Sequence, residues 1–233
     1  MDILTQTIAA GLPELGITLP EETIATMGRF GVALLEKNQV MNLTAITDPV
    51  QVAKLHFLDS LTLMTLADFW GKTMIDVGCG GGFPGVPLAI ACPEAKVTLL
   101  DSLGKRMTWL EQTLPTLGIN ARCITGRAEE EVSKRREQYD FALSRAVARL
   151  NILCELCLPY VKVGGWFLAM KGSAAAEEAK EAERAITLLG GRLEEIVNFT
   201  IDGASHPVLK IRKMKPTPPT YPRRYGKIKQ QPL

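Results

Sequence analysis

The chain has 233 residues, of which 46% are hydrophobic, and a formal net charge of +2 at pH 7. A chain of this length suits one α/β domain with an extension and buries enough apolar surface to fold without disulfides. No apolar run reaches the roughly 18 residues of a membrane span, and the N-terminus lacks signal-peptide features, so we expect a cytoplasmic protein.

The positive charge is concentrated at the C-terminal end. Residues 203–233 contain eight Lys or Arg and no acid, out of 27 basic and 25 acidic residues in the whole chain. A basic end on a mildly acidic body favours an anionic partner, although a solvated tail explains the same pattern.

The first 70 residues show helical patterns. Pro20 is followed by two glutamates, as is typical of a helix N-terminus, and apolar residues continue at helical spacing to Leu35. A second helix is predicted from about Asp48 to Leu66. We therefore predict an N-terminal helical cap over residues 1–70.

Short apolar runs alternate with helical patterns over residues 71–214. The strand predictions are Lys72–Val77, Lys96–Asp101, Ala121–Thr125, Tyr139–Ser144, Gly165–Met170, Arg192–Phe199 and Pro207–Lys213. The helix predictions are 85–91, 105–117, 128–137, 148–160 and 174–189. This alternation predicts an α/β fold with a doubly wound, mostly parallel seven-stranded sheet. The last two strands predict an antiparallel hairpin at its edge.

The last 19 residues, 215–233, form a basic, Pro-rich tail. Prolines 216, 218, 219 and 222 exclude regular structure at its start, so we expect residues 215–222 to run extended over the surface.

The five cysteines are scattered through apolar segments, as free thiols of a reducing compartment are. Cys154 and Cys157 form a CxxC pair on a predicted helix. A zinc site would require further Cys or His ligands nearby, and both histidines of the chain, His56 and His206, are isolated in sequence. We therefore interpret the pair as core cysteines and expect no metal.

The turn after the first predicted strand is rich in glycine. Residues 76–85 read Asp-Val-Gly-Cys-Gly-Gly-Gly-Phe-Pro-Gly. Ligands bind at the carboxyl ends of parallel strands, and glycines let the backbone approach them closely. A GxGxxG match also fits a dinucleotide site. Asp76 favours another ligand, because a carboxylate repels a pyrophosphate but suits the positive amino and sulfonium groups of S-adenosylmethionine.

Two further acids follow the next strands. Asp101 ends the second strand, where a carboxylate can accept hydrogen bonds from both ribose hydroxyls. Glu129 follows the third strand, where an adenine would lie. Each alone reads equally well as an ordinary loop acid. In register with one fold, Asp76, Asp101 and Glu129 predict a methyltransferase-like cofactor site.

These sequence patterns define the substrate less well than the cofactor. No Pro-Cys motif follows the fourth strand to supply a covalent nucleophile for pyrimidine C5 chemistry. The Asn/Asp-Pro-Pro-Tyr turn of exocyclic-amine methyltransferases is also absent. Arg145 instead begins a substrate-facing loop, although a surface Arg at a strand end is the plain alternative. Guanine N7 has an in-plane lone pair and needs no base, and arginines match its O6 and N7 edge. The sequence permits N7 chemistry without demanding it.

The chain resembles the RsmG (GidB) family of bacterial small-subunit rRNA guanine-N7 methyltransferases over nearly its full length. The motifs that resemble the family are Asn42–Thr44, His56–Leu61, Asp76–Gly85, Leu100–Ser102 with Lys105 and Arg106, Gly126–Glu129, Ser144–Ala146, Tyr221–Arg224 and a closing Pro-Leu.

The resemblance implies a class I, Rossmann-like methyltransferase fold, S-adenosylmethionine as cofactor, and a guanine in the 530 loop of 16S rRNA as substrate. The implied cofactor-binding residues are Asp76, Gly78, Gly80, Phe83, Asp101, Ser102, Leu103, Ala128, Glu129 and Arg145. The implied catalytic residues are Arg145, at the mouth of the site, and Arg127. The implied RNA-binding residues are His56, Lys171, Arg223 and Arg224, with Arg127 as a further candidate.

His56 and Asp59 lie three residues apart and share one face of the predicted helix. Packing of the cap against the sheet would account for them. Because they belong to a motif of the resemblance, we expect them to line the site without being catalytic.

The tail also suits RNA. Arg223, Arg224, Lys227 and Lys229 alternate with tyrosines that can stack on bases, although the charges would equally keep a tail solvated. We expect a cut after Lys215 to weaken RNA binding and to spare cofactor binding.

Three alternatives remain open from the sequence. One is a class I methyltransferase for a small molecule or protein, a second is a non-catalytic RNA-binding assembly factor, and a third, disfavoured by Asp76, is an NAD oxidoreductase. The partner is expected to be 16S rRNA or the small ribosomal subunit, and the chain is expected to be a monomer that does not bind membranes.

Overall fold

The structure, a computed structural model, describes residues 2–145 and 148–233. The N-terminal part is helical, as predicted. It consists of α1 (Ile3–Gly11), α2 (Glu21–Asn38), α3 (Pro49–Val52), a π-helical segment (Ala53–Leu58), α4 (Asp59–Leu61) and two 3-10 turns, Pro13–Leu15 and Thr62–Thr65. The predicted helix from Asp48 to Leu66 is thus one helical run that changes its winding.

Helix α2 buries Met27, Phe30 and Leu34, whose spacing places them on one face. At its C-terminal end, the Asn38 side-chain oxygen accepts hydrogen bonds from the backbone N–H groups of Leu43 (2.8 Å) and Thr44 (3.0 Å). These contacts fix the loop that places Thr44 at the site described below.

The seven strands form one sheet in the order β3-β2-β1-β4-β5-β7-β6. The strands are β1 (Thr73–Val77), β2 (Lys96–Asp101), β3 (Arg122–Thr125), β4 (Tyr139–Arg145), β5 (Val161–Met170), β6 (Gly191–Ile201) and β7 (Ala204–Lys213). The first five are parallel, and β6 and β7 form an antiparallel hairpin paired with β5. The prediction of a doubly wound, mostly parallel sheet with an antiparallel edge hairpin is confirmed.

Helices connect the strands as the alternation predicts. They are α5 (Gly85–Ala91), α6 (Gly104–Thr116), α7 (Ala128–Glu131), α8 (Leu150–Cys157), α9 (Ala175–Glu181) and α10 (Glu183–Leu188), with 3-10 turns at Val132–Lys134 and Leu158–Tyr160. The helix predicted over 128–137 was too long. It ends in the 3-10 turn, and Glu137 has a φ of 54°, which no helix continues through.

The sheet separates two apolar clusters, and the helical cap contributes to one of them. Leu4, Phe30 and Phe57 of the cap lie in the same cluster as Leu99 of β2 and Phe141 of β4. The cap therefore shares its core with the sheet. The division into parts 1–70, 71–214 and 215–233 stays a prediction.

The C-terminal tail folds back onto the other face of the sheet. Residues 215–222 form no helix or strand, as expected, but Thr217 is buried, and a short helix α11 (Tyr225–Gln230) follows and buries Ile228. None of the helices in the described part of the chain is long and apolar enough to cross a membrane.

Candidate functional site

One cavity of about 890 Å³ opens at the carboxyl ends of β1 to β4. A volume of this size is typical of sites for small molecules and cofactors. The lining includes most of the predicted cofactor-binding residues, namely Gly78, Gly80, Phe83, Asp101, Ser102, Ala128, Glu129 and Arg145. The structure therefore brings together residues that lie up to 67 positions apart in the sequence.

The glycine-rich turn is held open by Asp101. The Asp101 carboxylate accepts hydrogen bonds from the backbone N–H groups of Gly80 (2.9 Å) and Leu103 (2.8 Å), so it ties the loop after β1 to the loop after β2. Gly80 has a φ of 56°, and a Cβ there would point into the open cavity, 3.9 Å from the nearest atom, on Arg106. The turn thus forms a cradle that a side chain would fill.

Asp76 lies behind this cradle and is not among the residues that line the cavity. Its side chain is fully buried, and Oδ2 accepts a hydrogen bond of 2.7 Å from the backbone N–H of Gly85. A Cβ at Gly85 would lie only 2.9 Å from that oxygen, so the contact requires glycine. Oδ1 has no partner among the described residues.

Burial raises the pKa of Asp76 to about 7. The unpartnered oxygen and this raised pKa mark a carboxylate that lacks compensating charge. Direct contact between Asp76 and a cofactor stays a prediction. The geometry supports a role in shaping the turn from behind.

The loop after β3 forms one end of the cavity. The Ala128 carbonyl accepts a hydrogen bond of 2.7 Å from the Tyr160 hydroxyl, which fixes the loop. Arg127 Nε donates to Glu129 Oε1 at 2.8 Å, and the Glu129 side chain is only 8% exposed. Ser102 lines the cavity near this end, whereas Leu103 is half exposed and does not line it.

Arg145 lies at the other end of the cavity, at the end of β4. Its Nη1 donates to the Leu55 carbonyl (2.9 Å) and to Asp59 Oδ2 (3.1 Å), and its Cζ lies 5.3 Å from the centre of the Phe83 ring. Asp59 is buried and also accepts a hydrogen bond of 3.0 Å from His206 Nδ1. Arg145 is therefore oriented by two elements of the helical cap and, through Asp59, by β7.

Arg127 and Arg145 lie at opposite ends of this cavity. The order β3-β2-β1-β4 separates their strands by three strand spacings, roughly 14 Å at about 4.8 Å per spacing. The catalytic role predicted for Arg127 stays a prediction, and its contacts place it beside the loop after β3.

His56 lines the cavity between Arg145 and the cap. Its ring stacks on Phe83 with centroids 4.7 Å apart, Nε2 lies 2.7 Å from Thr44 Oγ1, and Nδ1 lies 3.1 Å from Arg145 Nη2. Burial lowers the pKa of His56 to about 4, and the charge of Arg145 acts in the same direction. His56 is therefore a neutral ring with both nitrogens engaged. As expected, His56 and Asp59 both line the site.

Lys171 also lines the cavity, but its charge is paired. Its Nζ lies 2.8 Å from Glu178 Oε2 and donates to the Ala148 carbonyl at 2.6 Å. Ala146, part of a motif noted in the sequence, lies outside the described residues.

The two tail arginines predicted to bind RNA differ in their surroundings. Neither lines the cavity. Arg223 pairs with the buried Glu155 at 2.6 Å, whereas Arg224 is exposed. Arg223 therefore anchors the tail, and an RNA contact by this residue stays a prediction.

Among the lining residues that the sequence did not predict are His206 and Tyr225. In the sequence His206 is isolated and Tyr225 is only a tail aromatic, yet both line the cavity. His206 contacts Asp59 across 147 positions, and it lies there because β7 pairs between β5 and β6 in the sheet. No local sequence signal would have found it.

The described residues contain no group of three or more His, Cys, Asp or Glu that could hold a metal ion. Cys154 and Cys157 are free and fully buried, which confirms their interpretation as core cysteines.

Comparison with known proteins agrees with this geometry. A family profile described as rRNA small subunit methyltransferase G matches residues 23–206. The chain is 44% identical to Ribosomal RNA small subunit methyltransferase G of Alkaliphilus metalliredigens, with 96% of each chain covered. It is 43% identical to the protein of that name from Pelotomaculum thermopropionicum, with 100% of each chain covered.

Solved structures with low sequence identity share the fold. TrmN from Thermus thermophilus has a TM-score of 0.54 and 19% identity, covering 66% of this chain and 48% of its own. Precorrin-6y C5,15-methyltransferase from Geobacter metallireducens has a TM-score of 0.51 and 15% identity, covering 74% of this chain and 89% of its own. The expected class I methyltransferase fold is thereby confirmed.

Proposed function

The chain belongs to the rRNA small subunit methyltransferase G family, and from that membership we propose that it methylates N7 of a guanine in the 530 loop of 16S rRNA. The methyl donor is S-adenosylmethionine, which when bound supplies an electrophilic methyl group on its sulfonium. That substrate places the enzyme in the cytoplasm and makes 16S rRNA, free or in the small subunit, its partner.

The lining of the cavity supports this cofactor. The glycine cradle at Gly78 and Gly80 would accommodate the methionine and ribose side, and Asp101, at the edge of the cradle, would face the ribose hydroxyls. Ala128 and Glu129, at the end of the cavity near β3, would hold the adenine. Asp76, just ahead of the glycines, favours a cationic rather than a phosphorylated ligand when its carboxyl group is ionised.

The observation that supports N7 chemistry best is that the acids and imidazoles of the described lining are engaged in holding protein groups. The four carboxylates of the lining, Asp59, Asp101, Glu129 and Glu178, and both imidazoles, His56 and His206, all have protein partners. A nucleophile that needs no deprotonation suits such a site, because alignment and charge then suffice.

Arg145 is the proposed catalytic residue for this alignment. Its guanidinium is fixed by Asp59 and the Leu55 carbonyl at the mouth of the cavity, and a guanidinium can donate to O6 of guanine. Such a contact would orient the base and leave the N7 lone pair free to attack the methyl group.

RNA would be held outside the cavity by charge. Arg224 on the tail is the proposed phosphate contact. Lys171 is only 7% exposed and pairs with Glu178, so an RNA contact by Lys171 stays a prediction. Four tail cations, Lys215, Arg224, Lys227 and Lys229, are exposed and have no ion-pair partner among the described residues, so they can release counterions when RNA binds.

Label transfer tests the proposed reaction. The protein is incubated with methyl-labelled S-adenosylmethionine and, separately, with 16S rRNA, 23S rRNA, isolated small subunits and ribosomal proteins. We expect label on 16S rRNA or small subunits. Label on protein or a small molecule would support those alternative substrates, and cofactor binding without any transfer would support a non-catalytic assembly factor.

A further inference from the structure

We propose that the C-terminal tail forms one wall of the cofactor pocket, with the Tyr225 ring lying against the adenine of the bound cofactor. The inference rests on the proposed function, since the base of S-adenosylmethionine is the group that the ring would contact. The sequence indicates only RNA binding for this part of the chain.

The first observation is the place of Tyr225. Its side chain lines the same cavity as Gly126, Ala128 and Glu129, although it lies almost 100 residues further along the chain. The guanidinium carbon of Arg127 lies 4.5 Å from the centre of the Tyr225 ring. This contact fixes the ring at the end of the cavity where the adenine would lie.

The second observation is a buried ion pair two residues before Tyr225. Glu155 of α8 is fully buried and accepts hydrogen bonds from the backbone N–H (2.7 Å), Nε (2.8 Å) and Nη2 (2.6 Å) of Arg223. Both carboxylate oxygens are satisfied by this one tail residue. The tail therefore supplies a partner that α8 needs, and its path past Arg223 is fixed.

Contacts on both sides of this pair hold the rest of the tail. Before it, Arg136 donates to the Tyr221 carbonyl, and the Thr217 hydroxyl donates to the Leu189 carbonyl at 2.8 Å. After it, Ile228 of α11 is fully buried in the core cluster of this face. The tail is thus held by contacts of Thr217, Tyr221, Arg223 and Ile228, and it is part of the domain rather than a loose RNA-binding arm.

The chemistry of the wall suits a purine. One face of the Tyr225 ring is covered by Arg127, and Tyr225 is partly exposed and belongs to the lining of the cavity. A flat aromatic surface beside Ala128 would contact a base through stacking and apolar contact, which do not depend on the methionine half of the cofactor.

Binding of S-adenosylhomocysteine by the full-length chain tests the inference. Tyr225→Ala is compared with Tyr225→Phe, which keeps the ring, and with Gln230→Ala, an exposed position on the same helix outside the cavity. Loss of one base–aromatic contact is expected to weaken affinity about tenfold. Tyr225→Phe and Gln230→Ala should bind as the wild type does, and free adenosine should lose the same factor with Tyr225→Ala.

The outcomes distinguish a failure of the Tyr225 proposal from a failure of the proposed function. Equal affinity of wild type and Tyr225→Ala, or equal weakening by Gln230→Ala, overturns the role of Tyr225 and leaves the proposed function standing. A wild type that binds neither S-adenosylmethionine nor S-adenosylhomocysteine overturns the proposed function itself. If thermal unfolding shows that Tyr225→Ala is misfolded, Tyr225→Leu keeps apolar bulk for packing while removing the flat ring, and it should also bind more weakly than Tyr225→Phe.

Discussion

Arg145 is the residue whose geometry most affects the proposed reaction. Its guanidinium makes contacts of 2.9 Å, 3.1 Å and 3.1 Å with Leu55, Asp59 and His56, so all three partners depend on its planar, branched shape. A lysine keeps the charge but cannot reproduce this fork.

We therefore expect Arg145→Lys to lower kcat on 16S rRNA by on the order of 100-fold, the size of losing an aligned charge-stabilising group. Steady-state kinetics with labelled cofactor measure the effect. Arg149→Lys is the matched control, because Arg149 is an exposed arginine nearby that pairs with Glu181 on the surface. Equal kcat values for Arg145→Lys and the control would contradict the role of Arg145.

Asp76 gives the protein a defined pH dependence. Its pKa of about 7 in the fold lies above the value of about 3.9 in an unfolded chain. Between these values the folded state binds more protons than the unfolded state, so the contribution of this group to stability falls as pH rises from about 4 to 7.

Asp76→Asn removes this titration. We expect the difference in unfolding free energy between wild type and Asp76→Asn to shift in favour of the variant between pH 5 and pH 8, as measured by urea titration. A difference that stays constant over this range would show that Asp76 does not titrate there.

At the residue scale, the sequence predicted the positions of the acids and glycines of the site better than those of the residues that contact them. Asp101 and Glu129 could be placed because strand ends fix where they point. His206 could not, because its partner Asp59 belongs to a helix 147 positions away. The orientation of Asp76 away from the cavity was also hidden, since the sequence shows which strand end a residue occupies and not which side of the turn it faces.

At the scale of elements, the helical run over residues 49–65 shows what patterns miss. The sequence predicts one helix, but the structure inserts a π-helical segment, Ala53–Leu58, into it. Such segments are rare and often occur at functional sites. Here the segment contains Leu55 and His56, both of which contact Arg145. Hydrophobic periodicity cannot distinguish a widened turn from a regular one.

The C-terminal tail is the second element for which the sequence and the structure lead to different expectations. Its basic composition led to the expectation that removal after Lys215 spares cofactor binding, whereas the inferred Tyr225 wall predicts that removal weakens it. Composition reports charge and proline content, but the buried partners of the tail, such as Glu155, lie on other elements.

Two adjacent arginines test how the tail is anchored. Arg223→Ala leaves the buried Glu155 carboxylate without its cationic partner and with only the backbone N–H of residue 223, which typically costs about 3 kcal/mol of stability. Arg224→Ala removes an exposed charge and is expected to change stability by less than about 0.5 kcal/mol. Chemical denaturation of both variants measures the difference. If the two variants unfold alike, the tail is not anchored through Arg223.

At the scale of the whole molecule, the fold was largely predictable because five strand–helix repeats and a final hairpin leave few topologies. The antiparallel edge hairpin follows from the short connection between the last two strands, whereas the strand order was not predicted. The joint core of cap and sheet does not follow from the sequence, because it depends on which faces meet. Substrate choice depends on such long-range packing. The sequence therefore indicated the substrate only through the resemblance to a known family.

The distribution of charge over the molecule predicts how RNA binding responds to salt. Each phosphate contact that is lost should reduce the slope of log K against log salt by about 0.7 to 0.9. Replacing Arg224, Lys227 and Lys229 together by alanine is therefore expected to reduce the slope by up to about 2 to 3. Filter binding to 16S rRNA fragments over a salt series measures it. An unchanged slope would mean that the tail does not contact RNA.

The central claim is the identity of the methylated atom. The purified protein is incubated with S-adenosylmethionine and with unmodified 16S rRNA, both free and assembled in small subunits, and the product is mapped by mass spectrometry of nuclease fragments and by cleavage at N7-methylguanine. We expect one methyl group per rRNA, on N7 of a guanine in the 530 loop. A methyl group on another atom or another region of the rRNA, or none from a protein that binds the cofactor, would contradict it.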